Sequence, residues 1–276
     1  MKRLILNADD FGVAPEVNEA VERAHRGGVL RAASLMVGAR AVPDAIERAR
    51  AMPELAVGLH VVLVNGRPVL PAKRVPDLVD ERGEFSSDLV GAGFRFFFRP
   101  GIRAQLAAEI RAQFERFAET GLALDHVDAQ NHMHVHPTVF GLILRIGREF
   151  GMRAVRIPRE PFGGTRSIAP WLALMRNRAR RAGVVCNDYA FGLNEAGALT
   201  EERVLQIVAA LPDGVTEIFF HPATAAFGEA DRGTEAFRWA GELAALTSPR
   251  VRDAIQRHGI VSTTYGELAA SALGRA

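Results

Sequence analysis

The sequence predicts an α/β protein, a single-domain distorted (β/α) barrel of about seven strands with a long inserted loop after the third. One observation predicts the architecture. Short apolar runs of strand length alternate with amphipathic stretches of helical period along nearly all 276 residues. That alternation calls for parallel strands joined by crossover helices. A second observation places the chemistry: acids, histidines and arginines recur where predicted strands end, and in a barrel those ends open on one face. A doubly wound open sheet is the alternative.

The elements follow in order. Arg3 to Ala8 reads as a buried strand ending in Asp9-Asp10-Phe11-Gly12. Gly12 and Pro15 mark a turn into a helix over Val17 to Arg26, stopped by Gly27-Gly28. Val29 to Val37 is the second strand, Asp44 to Ala51 a helix closed by Pro53, and Leu55 to Leu63 the third strand. Asn65 to Pro100 breaks the rhythm, and a connection of that length reads as a lid or substrate loop. Ile102 to Thr120 is an amphipathic helix, Leu122 to Asp128 a strand, and Thr138 to Phe150 a helix closed by Gly151. Further strands read over Ala154 to Ile157, Val184 to Ala190, Thr216 to Phe220 and Ile260 to Thr263. Helices are expected over Trp171 to Ala182, Glu201 to Leu211, Ala236 to Leu246 and Pro249 to His258, with a last one from Tyr265.

Composition narrows the class. Hydrophobic residues make up 48% of the chain, enough for a large core. A formal charge of +2 with few aromatics among the basic residues does not predict a nucleic-acid partner. The single Cys186 excludes an intramolecular disulfide and suits a reducing compartment. There is no signal-like start and no apolar run of spanning length, so the expected location is cytoplasmic.

Half of the eight histidines lie between Asp125 and Pro137. His132, His134 and His136 alternate with Met133 and Val135, so an extended chain would put three imidazoles on one face. Imidazole beside carboxylate is a ligand set for a divalent metal. Asp9 and Asp10 are adjacent, and a turn at a strand end can bring both to one pocket, one to hold metal and one to accept a proton. Alone, the pair reads equally well as a helix N-cap and a turn acid. His60 ends the third strand, where a core histidine and a metal ligand are both open readings. His221, before Pro222, reads as a turn residue or a general acid. Arg156 and Arg159 pair with an acid or orient a substrate. His25 and His258 suit the last turns of helices.

Four motifs then resemble a known family: Asn7-Ala-Asp-Asp-Phe-Gly12, Gly58-Leu-His60, His126-Val-Asp128 and His221-Pro-Ala223. They occur in the order seen in the YdjC-like, ChbG-type carbohydrate deacetylases. Ala33 to Gly38, Ala92 to Pro100, Val155 to Pro161 and Thr216 to Ala223 are similar to the hopanoid-biosynthesis-associated, HpnK-like subgroup. The resemblance implies a TIM-like barrel and hydrolysis of an N-acetyl group from a sugar, with one divalent ion, zinc or magnesium, as cofactor. For the subgroup it implies an N-acetylglucosaminyl hopanoid as substrate. It puts the metal on Asp10 and His60, the base on Asp9 and the His-Pro motif on His221. Family members read His-x-Asp-x-His or His-x-Asn-x-His, the last His being a ligand. Here that position is Gln130, so Gln130 or His132, two residues on, is the expected third ligand. Soluble chito-oligosaccharides, or binding by a metal-impaired homologue, are the alternatives.

The expected partner is therefore an amino-sugar or glycolipid substrate, contacted by Arg156, Arg159, His134 and Phe97. Phe94, Phe96, Phe97 and Phe98 between Arg95 and Arg99, with the basic helix over Trp171 to Ala182, also point to contact with a membrane surface. A buried Phe run and a solvated basic face would give the same sequence.

Overall fold

Strand β1 (Lys2–Phe11) is the axis of the sheet, and its chemistry explains why. Leu4, Ile5, Leu6, Ala8 and Phe11 are all buried, so the strand is covered on both faces, as parallel strands under helices are. The fold is that of a computed structural model, which describes residues 1–161, 165–227 and 237–274. The Ala236 start expected for one helix lies outside them.

From β1 the strands step round in one direction. β2 (Ala32–Leu35) pairs with β1, β3 (Ala56–Val61) with β2, and β4 (Leu124–Ala129) with β3, all parallel. On the other side β6 (Gly214–Phe220) pairs with β1, and β5 (Tyr189–Phe191) with β6. Two single bridges complete the ring: Val127 with Val155, and Ala154 with Val185, four residues before β5. The order never reverses, so the sheet is a distorted barrel and not the doubly wound alternative. The stretch expected as a strand over Ala154 to Ile157 is reduced to these bridges. β7 (Val261–Ser262) adds to the N-terminal half of β1, beside β2's contact with its C-terminal half.

The helices cover this ring: α1 (Pro15–Gly27), α2 (Val42–Arg50), α3 (Leu89–Phe98), α4 (Pro100–Glu119), α5 (Pro137–Glu149), α6 (Ala169–Arg181), α7 (Glu201–Ala209), α8 (Trp239–Thr247), α9 (Pro249–Arg257) and α10 (Tyr265–Leu273). α5 shows the principle. Val139, Phe140, Ile143 and Ile146 recur at helical spacing and are buried, each contributing about 1.5–3 kcal/mol relative to exposure.

The segment over Asn65 to Pro100, expected as a loop, is partly folded. It holds a 3-10 turn at Ala72–Arg74, an antiparallel bridge between Val79 and Phe85, and α3. The Phe run is helical because Asp88 caps it, its carboxylate accepting from the Gly91 N–H at 2.9 Å. Glu109 and Gln113 of α4 pin the start of this segment. Glu109 accepts from the Val69 and Leu70 N–H groups, and Gln113 brackets the N–H and C=O of Val62. Among the described residues, no helix is long and apolar enough to cross a membrane.

Candidate active site

The site begins with an irregularity in β1. Ala8 lies opposite Ala33 but Phe11 opposite Leu35, so three steps on β1 match two on β2. The extra residue is accommodated by Asp10, whose φ of 63° is left-handed. A regular strand would send Asp9 and Asp10 to opposite faces. The bulge lets both act on His60, whose Nε2 lies 3.4 Å from Asp10 Oδ1.

Beneath the two acids sits Arg156, fully buried. Its Nη1 and Nη2 donate to Asp9 Oδ2 and Oδ1 at 2.8 and 2.7 Å. Nη1 also meets Asp128 Oδ2 at 2.7 Å, while Nε and Nη2 donate to Glu217 at 2.9 and 2.8 Å. The guanidinium lies over the Phe219 ring, 4.4 Å from its centroid. One cation thus serves three buried carboxylates, an arrangement for which the fork of Arg is suited and Lys is not. Burial alone would raise the Asp9 carboxyl, but the charge and hydrogen bonds of Arg156 overcome it and hold Asp9 below its usual range. Asp10 lacks that clamp. Burial raises it, with His221 and then His60 opposing.

His60 is oriented from below. Its Nδ1 donates to Asp128 Oδ1 at 2.7 Å, which leaves Nε2 facing Asp10. A carboxylate on the far nitrogen is how metal-binding histidines are commonly held. Burial would lower this imidazole, but the Asp128 charge and hydrogen bond lift it to about 9.

A further polar layer supports Asp128. Ser34 Oγ donates to Asp128 Oδ2 at 2.9 Å and accepts from Asn7 Nδ2 and His126 Nε2. The other ring nitrogen of His126 bonds Asp125, and Asp125 accepts from the Gly266 N–H. Both nitrogens of the His126 ring are thus hydrogen-bonded. Its pKa is raised although burial opposes this, because Asp125 binds it. The ring presses on Gly58, where an added Cβ would come within 2.5–2.6 Å of it. Only glycine leaves room at that point.

The His-rich segment is not extended. Gln130–Val135 forms 3-10 turns with Asn131 and His132 left-handed, so the three imidazoles do not share a face. His132 and His134 remain neighbours, their rings 5.9 Å apart. Burial lowers them to about 3 and about 4, so both are neutral. His134 is fully buried, and neither of its ring nitrogens has a hydrogen-bond partner. Gln130 donates Nε2 to the Asn65 carbonyl at 3.3 Å, leaving its buried Oε1 unpartnered. His136 instead caps α5, accepting from the Thr138 N–H, with its ring against Phe96 and Phe97.

His221 ends β6. Its N–H donates to buried Glu242 at 2.5 Å, and its Nδ1 is buried without a partner. Arg159 lies over the Tyr189 ring at 5.1 Å, so Arg156 alone of the two expected arginines holds Asp9. Phe97 is on the exposed side of α3. Beside His132 opens a cleft of about 360 Å³, lined by Leu89, Gly93, Met133, Val135 and Trp171 among others.

Asp9, His60 and Asp128 offer one ligand atom each within 4.8 Å of one another, a group that could hold a metal ion. The sequence points to Asp9 and His60 as site residues and to Asp128 within the His126-Val-Asp128 motif, but gives Glu217 no role. Glu217 did carry a signal: a lone acid in the apolar run Thr216 to Phe220 must find a partner when buried.

Residues 3–257 match the family described as YdjC-like protein. The chain belongs to the YdjC-like family. Among its relatives, a carbohydrate deacetylase of Geobacillus stearothermophilus is 33% identical over 267 residues, covering 95% of this chain and 96% of that one. A carbohydrate deacetylase of Brevibacillus brevis is 30% identical over 270 residues, 96% and 99% of the two chains. A crystal structure from Enterococcus faecalis, of a protein provisionally assigned to cellobiose-phosphate cleavage, superposes with a TM-score of 0.80 at 28% identity. It covers 97% of this chain and 98% of that one. A lactam utilization protein of Thermus thermophilus shares the fold, with a TM-score of 0.50 at 17% identity over 94% of this chain.

Proposed function

We propose that this YdjC-like protein is a metal-dependent deacetylase that hydrolyses the acetamide of an N-acetylated sugar, N-acetylglucosamine carried on a hopanoid. The observation that carries the chemistry is His60 Nε2 facing Asp10 Oδ1 at 3.4 Å, beside an Asp9 held ionised by Arg156.

The donors suit a divalent ion. Two ligands about 2.0–2.1 Å from a tetrahedral zinc stand about 3.4 Å apart. His60 and Asp10 would hold the ion, with the unpartnered Gln130 Oε1 or a neutral His132 as the third donor. Asp9 and Asp128 are poorer candidates, since Arg156 already occupies oxygens of both. A bound ion supplies Lewis acidity, polarising the acetamide carbonyl and an attacking water.

The protein's own groups do the rest. Asp9 Oδ1 already accepts two bonds and Oδ2 one, which leaves one lone-pair site for a water. Asp9 takes a proton from that water as its oxygen bonds to the acetyl carbon. The C–N bond then breaks, and His221, which follows β6 with its Nδ1 buried and without a hydrogen-bond partner, gives a proton to the departing amine. Acetate and a free amino sugar result. Arg156 positions Asp9, while His134, expected to touch substrate, is fully buried and does not line the cleft.

The glycolipid reading is supported by the apolar cleft beside His132, which suits a lipid-linked sugar better than a long polar oligosaccharide. It fits a protein acting in the cytoplasm at a membrane surface. The test is acetate release from an N-acetylglucosaminyl hopanoid and from chitobiose, with and without added zinc or magnesium. Release from chitobiose alone would transfer the activity to soluble sugars. No release from either, with no metal retained, would leave a binding protein. Full activity in Asp9→Asn would remove its role as base.

A further inference from the structure

α3 is an unusual surface helix. Val90, Phe94, Phe97 and Phe98 are 70, 62, 59 and 68% exposed, while only Ala92 and Phe96 face the core. The exposed rings are already assembled into a ridge. Phe94 stacks on Phe98 at 6.1 Å between centroids, and Phe97 meets Phe98 edge-on at 5.0 Å. Contiguous exposed aromatics of this kind mark an interaction surface.

Charge narrows the partner. From Leu89 to Ala108 the chain carries Arg95, Arg99 and Arg103 and no acidic residue. None of these three is ion-paired to a described residue. The basic helix α6 differs. Arg176 and Arg180 are engaged by Asp188, and Arg178 lies over Phe140. On α6 only Arg181 is left without such a partner among the described residues, whereas all three arginines around the aromatic ridge are. Trp171, which lines the same cleft as Leu89 and Gly93, follows shortly after the exposed Arg166 and Ile168 in the chain.

We infer that α3 is a bilayer-docking helix, seating its Phe ridge in the interface of an anionic membrane with the exposed Arg99 and Arg103 among the headgroups. Ten residues span about 15 Å, half of a hydrocarbon core, so the helix lies in the interface and does not cross it. The placement has a consequence for the site. Leu89 and Gly93 of the same helix line the cleft that contains His132, so a lipid-linked sugar leaving the bilayer meets the cleft directly. This deepens the glycolipid reading and rests on it for its purpose, although its test does not.

The full chain is sedimented with vesicles of phosphatidylcholine and phosphatidylglycerol (3:1), and with phosphatidylcholine alone, at low and physiological salt. Pelleting with the anionic vesicles, weakened by salt, is expected. A Phe94→Ser/Phe98→Ser variant with unchanged Tm should lose at least about tenfold in vesicle affinity. An Arg99→Ser/Arg103→Ser variant should lose the preference for anionic vesicles. No pelleting at low salt, or equal pelleting by the Phe variant, overturns the inference. So does concentration-dependent self-association that the Phe variant abolishes in place of vesicle binding, since the ridge would then be covered by a second copy. Vesicle binding without acetate release leaves the docking helix standing and removes the deacetylase reading. Release from detergent-solubilised glycolipid without vesicle binding does the reverse.

Discussion

Arg156 and Asp9 meet through two nearly equal bonds, 2.7 and 2.8 Å, with both side chains shut away from solvent. Arg156 is thus both a structural hub and the group that sets the Asp9 charge. Arg156→Ala leaves three carboxylates without their cation, and a cost of about 3–5 kcal/mol in denaturant unfolding is expected. Arg156→Lys keeps the charge but cannot span Asp9, Asp128 and Glu217 together. It should fold less stably than the native chain and release acetate at least about a hundredfold more slowly. A Lys variant with native rates would show that the fork does not matter.

The His126 ring over Gly58 leads to a second expectation. Gly58→Ala forces the ring away from Ser34 and so loosens the support of Asp128. A loss of about 1–3 kcal/mol by thermal or denaturant unfolding is expected. Gly58→Ala with His126→Ala should cost less than the sum of the two single changes, because the clash needs both side chains.

Gln130 is the third point. If its Oε1 faces the ion, Gln130→His should raise zinc affinity in isothermal titration, imidazole being the better donor. His132→Ala should then change affinity little. If His132 is the ligand, the two results exchange places.

Cys186 makes a pH prediction away from the acids. Burial pushes its thiol from an ordinary value near 9 up to about 11. The folded state favours the neutral thiol, so this contribution to stability is complete below pH 9 and is lost as pH rises to about 11. At pH 8 only roughly one thiol in a thousand is ionised, and thiol-directed labelling should be slow until the chain is unfolded. Rapid labelling of folded protein at pH 8 would contradict the raised value.

Much of the wall was legible because strand and helix periods differ, and because buried parallel strands read as apolar runs. Asp9, Asp10 and His60 were legible by their places at strand ends. Their convergence was not, since it depends on a one-residue bulge and a left-handed Asp10 that no period encodes. The His-rich segment misled for the same reason. Alternation predicts a shared face only if the chain is extended, and Asn131 and His132 turn left-handed. Residues 154–157 read as a full strand because a strand that pairs through single bridges has the same composition as one with a full ladder.

Those single bridges have a consequence for how the protein comes apart. Most of the barrel wall is held by continuous ladders, but between β4 and β5 the ring is joined at Val127–Val155 and Ala154–Val185, with Arg156 next in the chain. Local opening is cheapest where few hydrogen bonds must break together. The seam is closed by four backbone bonds and by Asn187 on Ile157, fewer than the long ladder that β1 shares with β6. Amide exchange at residues 154–157 should outrun that of β1.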